Sequence, residues 1–174
     1  MRHWTRIARH AWWDTSDSRR ALPPDAAQRL AQRIAASERR HSGRIRICVE
    51  AGLPLHRLWA SPCGASWPAV IRQRALTWFG RLQVWDTEAN NGILIYVLLA
   101  ERAIEIVADR GVRPDLDADW AAHVATLQAA FRRGAFEEGL AAVVDEVGAV
   151  LERRFPHDPG LPAPDERQNA VVLC

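Results

Sequence analysis

The sequence predicts an α/β protein, a three-layer α/β/α sandwich on a small mixed β-sheet. Three observations support this fold class. Helical and extended hydrophobic periods alternate along the chain, a helical segment separates the first two predicted strands, and a three-residue turn separates the second strand from the third. Strands joined through a helix are parallel, whereas strands joined by a short turn form an antiparallel hairpin. The predicted sheet is therefore mixed, with helices packed on its faces.

Each predicted element follows from its hydrophobic period. Apolar residues spaced three and four apart predict four helices, the first of them opened by Pro23-Pro24. Strict alternation predicts a half-buried first strand, and an unbroken apolar run predicts a central second strand. In the order helix, strand, helix, strand, strand, helix, helix, the elements lie at about 24–40, 44–50, 68–82, 92–99, 103–109, 120–131 and 140–155.

Length and composition favour a single domain with short flanking segments. The chain has 174 residues, of which 48% are hydrophobic and 25% charged, close to the average for globular proteins. Residues 1–22 form a basic, Trp-bearing amphipathic arm, and residues 23–156 form the domain. Residues 157–174 are predicted to be a flexible Pro-rich tail, because 165–174 have too little apolar content for a packed element.

Charge and cysteine content exclude several classes of function. A net charge of +2 gives no general case for a nucleic-acid partner. Three cysteines without C-x-x-C spacing suggest neither a zinc site nor a disulfide framework, and Cys48 is interpreted as a packing residue. No apolar run reaches the roughly 20 residues of a membrane span, and no secretory signal is apparent, so we expect a cytoplasmic protein. Residues 1–20 either pack on the domain or contact the inner face of an anionic membrane.

The predicted hairpin brings two polar segments to one edge of the sheet. With Glu101 near its tip, residues whose numbers sum to about 202 are expected to face each other, so that Gly92 lies opposite Arg110 and Ile93 opposite Asp109. The loop 86–91 and the segment 109–111 then meet at that edge. Carboxylate and amide oxygens are the ligands that Ca²⁺ and Mg²⁺ prefer. The candidate metal ligands are Asp86, Glu88, Asn91 and Asp109. The alternative is that Asp86 caps a helix or turn, that Asn91-Gly92 forms an ordinary turn, and that Asp109 pairs with Arg110 or another Arg. His41 beside Ser42 could be a catalytic base, but turn capping is favoured.

Several motifs resemble the bacterial branch of the TPM-domain family. They cover roughly residues 25–156 and are most specific around the two central strands. The matching segments are SERRHSGRIR (37–46), VWDTEANNGILIY (84–96), EIVADRGV (105–112), FRRG (131–134), FEEG (136–139) and RFP (154–156). This resemblance implies an α/β/α sandwich, in agreement with the fold argued from periodicity.

The resemblance also implies functions. Plant members are associated with photosystem II repair and have been assigned an acid phosphatase activity, and some members bind calcium or magnesium at the acidic edge of the domain. Asp86, Asn91 and Asp109 occupy matching positions in this sequence. Members are typically exported and anchored by a transmembrane helix, and this sequence shows neither feature, which favours a cytoplasmic-type branch.

These observations predict a divalent-cation-binding module that contacts another protein and serves membrane-protein maintenance. The alternative is a metal-assisted phosphomonoesterase at the same edge, in which Arg110 binds a phosphate oxygen and a metal-bound water attacks the phosphorus. A peripheral membrane protein held by residues 1–20 is a third class. The sequence assigns no catalytic residue, since Asp86-Thr87-Glu88 is not the D-x-D of phosphate-transferring aspartyl enzymes and the sequence contains no C-x₅-R and no Gly-rich phosphate loop.

Overall fold

The computed structural model describes residues 12, 15–54, 66–112, 127, 129–131, 133–157 and 170–174. Within these ranges the chain forms helices and strands that alternate as the sequence predicts. The helices are α1 (Thr15–Ala21), α2 (Pro24–Glu38), α3 (Trp67–Arg81) and α4 (Phe136–Arg154), and the strands are β1 (Arg44–Glu50), β2 (Gly92–Leu98), β3 (Ala103–Ala108) and β4 (Val171–Leu173).

The strands form one mixed sheet. In the described part of the chain its order is β3-β2-β1-β4. β1 is parallel to β2 and to β4, and β2 is antiparallel to β3. The parallel pair joined through α3 and the antiparallel hairpin are both as predicted. The predicted α/β fold class is therefore confirmed.

Alternation along the strands divides the core into two layers. Ile45, Ile47 and Val49 of β1 share one face and pack with α2 and α4. Cys48 of β1 and Tyr96 of β2 lie in the cluster on the other face, which α3 covers. The sheet is thus buried on both sides, which explains why every residue of β2 is buried.

The outer edges of α2 and α4 are joined by ion pairs. Three arginines bind carboxylates on α4: Arg29 and Arg33 of α2, and Arg40 just after it. The distances are 2.6, 2.8 and 2.9 Å in that order. Their partners are Glu137, Asp145 and Glu152, in the same order along the chain. The two helices therefore run in the same direction across one face of the sheet.

The hairpin register differs by one residue from the predicted one. Ile93 lies opposite Ala108 and Leu98 opposite Ala103, so that Gly92 faces Asp109. The connection is a 3₁₀ turn at Leu99–Glu101 followed by Arg102 in the left-handed conformation, with a φ of 50°. The connection therefore has four residues (99–102) instead of the predicted three, and β2 ends one residue earlier than predicted. The polar segments at the far end of the hairpin still meet.

The expectation that residues 165–174 form no packed element is wrong for the last part of that segment. Val171, Val172 and Leu173 form β4, which pairs with Ile47, Cys48 and Val49 of β1. This strand forms because of a tertiary contact and not because of its own sequence pattern. One side of β1 is otherwise unpaired, and three consecutive apolar residues can pair with it. Residues 158–169, also part of the predicted tail, lie outside the described residues.

The predicted arm is described only in part. Residues 1–11, 13 and 14 lie outside the described residues, as do most of the predicted helix 120–131 and Cys63. α1 belongs to the folded domain, since Leu22 directly after it is buried and Ser18 Oγ donates a 2.8 Å hydrogen bond to the Cys174 carbonyl. Across the described ranges, no helix is both long enough and apolar enough to cross a bilayer.

Candidate functional site at the hairpin edge

The two polar segments of the hairpin are in direct contact. The Asp109 N–H donates to the Gly92 carbonyl at 2.9 Å, and the Gly111 N–H donates to the Asn90 carbonyl at 3.0 Å. A Cβ on Gly111 would lie 2.6 Å from the Ala89 carbonyl oxygen, so only glycine permits this approach. The structure thus brings the loop 86–91 and the segment 109–111 together, as the sequence analysis expected.

Asn91 is the buried centre of this edge. Its backbone N–H donates to Thr87 Oγ1 at 3.0 Å, and its Nδ2 donates to Ser42 Oγ at 3.1 Å. The side-chain oxygen Oδ1 is buried and has no hydrogen-bond partner. A buried amide oxygen without a partner is uncommon and costs about 1–3 kcal/mol. Asn91 is therefore held by its donor side, and its acceptor remains available to a ligand.

Asp109 presents a second oxygen of the same kind. Its Oδ1 accepts the Arg110 backbone N–H at 2.7 Å, whereas its Oδ2 is buried without a hydrogen-bond partner. Because Gly92 faces Asp109, the residues that carry the two partnerless oxygens, Asn91 and Asp109, lie on adjacent strand ends. An amide and a carboxylate oxygen without protein partners are what a hard cation requires.

Arg110 is exposed at the rim of this edge. Its Nε and Nη2 both donate to Asn90 Oδ1, at 3.1 and 3.0 Å. Asn90 itself has a φ of 52°, a left-handed conformation that asparagine tolerates better than most residues. The Asn90 side chain thus holds the Arg110 guanidinium at this rim.

The remaining two predicted metal ligands are at the surface. Asp86 and Glu88 are exposed on the same loop, beside Trp85, which is 52% exposed. In the part of the chain that the structure describes, no three His, Cys, Asp or Glu side chains surround a common point. A cation at this edge would therefore combine Asn91 and Asp109 with main-chain oxygens and water, and Asp86 and Glu88 would act at longer range.

A buried Ser-His pair lies next to this edge. His41 Nε2 is 3.0 Å from Ser37 Oγ, and both residues are buried. Burial lowers the pKa of His41 from 6.5 to about 4, because desolvation disfavours the imidazolium ion. Gly148 of α4 packs against Ser37 so closely that a Cβ would overlap its hydroxyl group. His41 is thus a neutral core histidine bonded to Ser37, rather than the turn cap that its neighbour Ser42 suggested.

Sequence reasoning missed a second polar cluster, at the opposite end of β1. The Glu50 carboxylate is buried and accepts hydrogen bonds from Arg74, Tyr96 and Trp78. The distances to Oε2 are 2.9 Å from Arg74 Nε, 2.6 Å from Tyr96 Oη and 3.2 Å from Trp78 Nε1. Arg74 Nη2 also binds Oε1, which completes a bidentate ion pair. Burial and the Glu50 charge raise the pKa of Tyr96.

A signal for this cluster does exist in the sequence. Glu50 follows Arg46 and Cys48 on the polar face of an alternating strand, which the sheet-and-helix fold nevertheless buries. Arg74 and Trp78 are four apart and so share one helix face. The sequence does not say which helix face covers which strand, and the ion pair depends on that.

Together, the fold and the edge define a class: an α/β/α sandwich with a polar site where a hairpin opens. A TPM-domain family model matches residues 15–150. The NMR structure of the BA42 protein from the psychrophilic bacterium Bizionia argentinensis is similar, with a TM-score of 0.68 and 25% sequence identity. The alignment covers 87% of this chain and 94% of that one. Among curated proteins none matches. The chain belongs to the TPM-domain family, as its motifs predicted.

Proposed function

We propose that this TPM domain binds one divalent cation at the hairpin edge and uses the loaded edge to contact another protein. The observation that supports the proposal is the pair of buried oxygens without hydrogen-bond partners, Asn91 Oδ1 and Asp109 Oδ2. Folding buries few such groups, because each loses its water without gaining a donor. A bound cation would satisfy both.

The ligand set favours calcium or magnesium and a weak site. All ligands would be oxygens, which excludes the softer metals that select thiolate or imidazole. Asp109 is the single inner carboxylate, and a site with few ligand charges binds a divalent cation weakly. We therefore expect a dissociation constant on the order of 10⁻⁴ to 10⁻³ M, the range of weak calcium modules. Ca²⁺ would accept a mixed set of amide, carbonyl and water ligands more readily than Mg²⁺.

The surroundings of the edge suit a protein contact. Trp85 is half exposed directly before Asp86, and Arg110 is exposed on the other side. Exposed Trp and Arg side chains are enriched among the residues that dominate binding at protein interfaces. A partner that places a carboxylate on the bound cation would contact both. This arrangement is compatible with service to membrane proteins, the role that the family resemblance implies.

Calorimetric titration of Ca²⁺ and of Mg²⁺ into the full chain tests the proposal. Asp109→Asn should weaken binding at least tenfold, and Asp86→Asn and Glu88→Gln only severalfold, because these two act at longer range. Asp145→Asn is the matched control: this exposed carboxylate on α4 pairs with Arg33, far along the chain from the edge. A flat trace at millimolar ion, or equal effects of Asp109→Asn and Asp145→Asn, would refute the proposal.

A phosphomonoesterase is the second candidate, favoured by the position of Arg110. Asn90 holds its guanidinium at the hairpin edge, where it could neutralise a phosphoryl oxygen while a metal-bound water attacks. Turnover of an aryl phosphate with Mg²⁺ or Ca²⁺ should fall at least a hundredfold in Asp109→Ala and tenfold in Arg110→Ala. Activity that survives both substitutions would belong to another site or to a contaminant.

Membrane contact through residues 1–20 is a separate proposal. Trp12 is helical and 86% exposed, as a residue that inserts into a bilayer interface would be. Sedimentation with vesicles of anionic phosphatidylglycerol should show binding that Trp12→Ala weakens and deletion of residues 1–12 abolishes. A cytoplasmic location follows from the same proposal, with the protein on the inner face of the membrane. Binding that is unchanged by the deletion would refute it.

A further inference from the structure

Two of the three cysteines meet on the face of the sheet that α3 covers. Cys48 lies opposite Val172 of β4. The Cys174 N–H donates to the Val49 carbonyl and its carbonyl accepts from the Ala51 N–H, both at 2.9 Å, so Cys174 lies beside Glu50. Residues two apart on a strand share a face, and Cys48 and Cys174 therefore point to the same side. Both side chains belong to the apolar cluster between the sheet and α3, with Cys174 packed against the group that contains Cys48.

The two thiols differ in exposure and in surroundings. Cys48 is buried and Cys174 is half-buried, so that a small oxidant reaches Cys174 first. The hydrogen bond from Cys48 lowers the pKa of Cys174, and the charges of Arg74 and Arg81 act in the same direction, against burial and Glu50. The same hydrogen bond, with burial, raises the pKa of Cys48. Cys174 is therefore the more readily ionised of the two thiols.

We propose that Cys174 and Cys48 are a redox-active pair in which a hydroperoxide oxidises Cys174 and Cys48 then closes a disulfide. In the first step the Cys174 thiolate attacks one peroxide oxygen, the O–O bond breaks, and a sulfenic acid and hydroxide (or alkoxide) form. In the second step Cys48 sulfur attacks the sulfenic sulfur. The S–S bond forms, the S–O bond breaks, and the Cys48 proton leaves with the hydroxyl group as water. The peroxide is reduced by two electrons and the two thiols are oxidised.

Closure of this disulfide requires β4 to move. Cys48 and Cys174 are diagonal neighbours across two strands, and such pairs are typically about 7–8 Å apart. The Cα atoms of a disulfide are usually about 5.5–6 Å apart. β4 is a three-residue edge strand, so it can shift without disturbing β2 or β3. Because Ser18 of α1 binds the Cys174 carbonyl, the shift would also reach α1.

The experiment uses the full chain with Cys63→Ser, which removes the third thiol. Treatment with hydrogen peroxide should produce a monomer that has lost two hydrogens, and peptide mapping without reductant should show Cys48 linked to Cys174. Dithiothreitol should reverse both changes. In Cys48→Ser the reaction should stop at a sulfenic acid on Cys174 that dimedone captures. In Cys174→Ser, Cys48 should stay unmodified.

A matched pair of variants tests the electrostatic part. Arg81 stacks over Trp78 at 5.4 Å and acts on Cys174 through its charge. Arg81→Ala should slow peroxide oxidation of Cys174 by no more than about fivefold, the effect of one partly exposed charge, and Arg81→Lys should retain the rate. Oxidation of Cys174 to sulfinic or sulfonic acid without a linked peptide, or linkage only between separate chains, would overturn the proposal. Peptide mapping of the Cys63→Ser protein decides this even if Cys48→Ser does not fold.

Discussion

Replacing Arg74 with methionine would leave the Glu50 carboxylate buried without its cation. The substitution removes the bidentate ion pair and keeps an apolar stem of similar length. Tyr96 and Trp78 would remain as the donors to Glu50. Breaking a buried ion pair by removing one partner typically costs about 3–5 kcal/mol. For a chain of this size that corresponds to a fall in Tm of about 6–20 °C.

A second variant distinguishes the cost of leaving the Glu50 charge without a cation from the cost of the changed side-chain packing. In Glu50→Gln/Arg74→Met the buried group is neutral, and its amide oxygen can still accept from Tyr96 Oη. We expect the double variant to regain more than half of the stability that Arg74→Met loses, since replacing both charges of a buried pair is often nearly neutral. Urea unfolding followed by far-UV circular dichroism measures the free energy of unfolding for each variant, with equal slopes as the check on two-state behaviour.

The control is an ion pair of the same chemistry at the surface. Arg33 binds both oxygens of Asp145, and both side chains are about half exposed. Arg33→Met should cost less than about 1 kcal/mol, because solvent screens an exposed pair. If Arg74→Met costs no more than Arg33→Met, the Glu50 cluster is not desolvated and the reasoning fails. The same conclusion would follow if the double variant were as unstable as Arg74→Met.

Three further predictions concern stability. Because the pKa of His41 is about 4 in the folded protein and 6.5 ordinarily, the unfolded chain binds the extra proton between these values. Stability should therefore fall as the pH drops from about 6.5 to about 4, by up to about 1.4 kcal/mol per pH unit, and urea unfolding of His41→Gln should show a shallower fall. The same dependence of the free energy of unfolding on pH in His41→Gln as in the native protein would contradict this prediction. A Cβ on Gly92 would overlap a main-chain carbonyl, so Gly92→Ala should lower Tm sharply. The control is Gly80→Ala, which has open space around it and should leave Tm unchanged or raise it. Equal effects of the two substitutions on Tm would refute the packing argument. Deletion of residues 170–174 should expose the Ala51 amide, which binds the Cys174 carbonyl, to fast hydrogen exchange, and continued protection would argue against β4 pairing in solution.

Local patterns were sufficient to predict most of the fold. The alternating run 44–50 and the apolar run after Asn91 were recognisable as strands from their own sequence. The prediction that the first strand is half-buried is wrong, because α3 covers its polar face as well. β4 carries no such period: Val171–Leu173 is three residues long, and it is a strand only because β1 offers it an open edge. The hairpin register was one residue off for a related reason, since the 3₁₀ turn before Arg102 is decided by backbone conformation that the sequence does not display.

The meeting of the two polar segments at the hairpin edge was predictable to the same degree. The hairpin edge could be found because Asn91 and Asp109 are brought together by one turn, which is a short-range inference. The burial of Asn91 Oδ1 and Asp109 Oδ2 could not, because it depends on which atoms find donors. The Glu50 cluster and the thiol pair depend on contacts between segments 24 and 126 positions apart, such as Glu50 with Arg74 and Cys48 with Cys174. Sequence periodicity predicts contacts only between residues close together in the chain, so it could not predict these contacts.

The position of β4 has a consequence for synthesis on the ribosome. Translation delivers β1, β2, β3 and α4 before it delivers the segment that covers the outer side of β1. Until Val171–Leu173 has left the exit tunnel, β1 is an edge strand of the nascent sheet and presents bare amide and carbonyl groups, a template for pairing with a neighbouring nascent chain. Pairing of these three apolar residues with β1 then removes this template for association between copies of the chain.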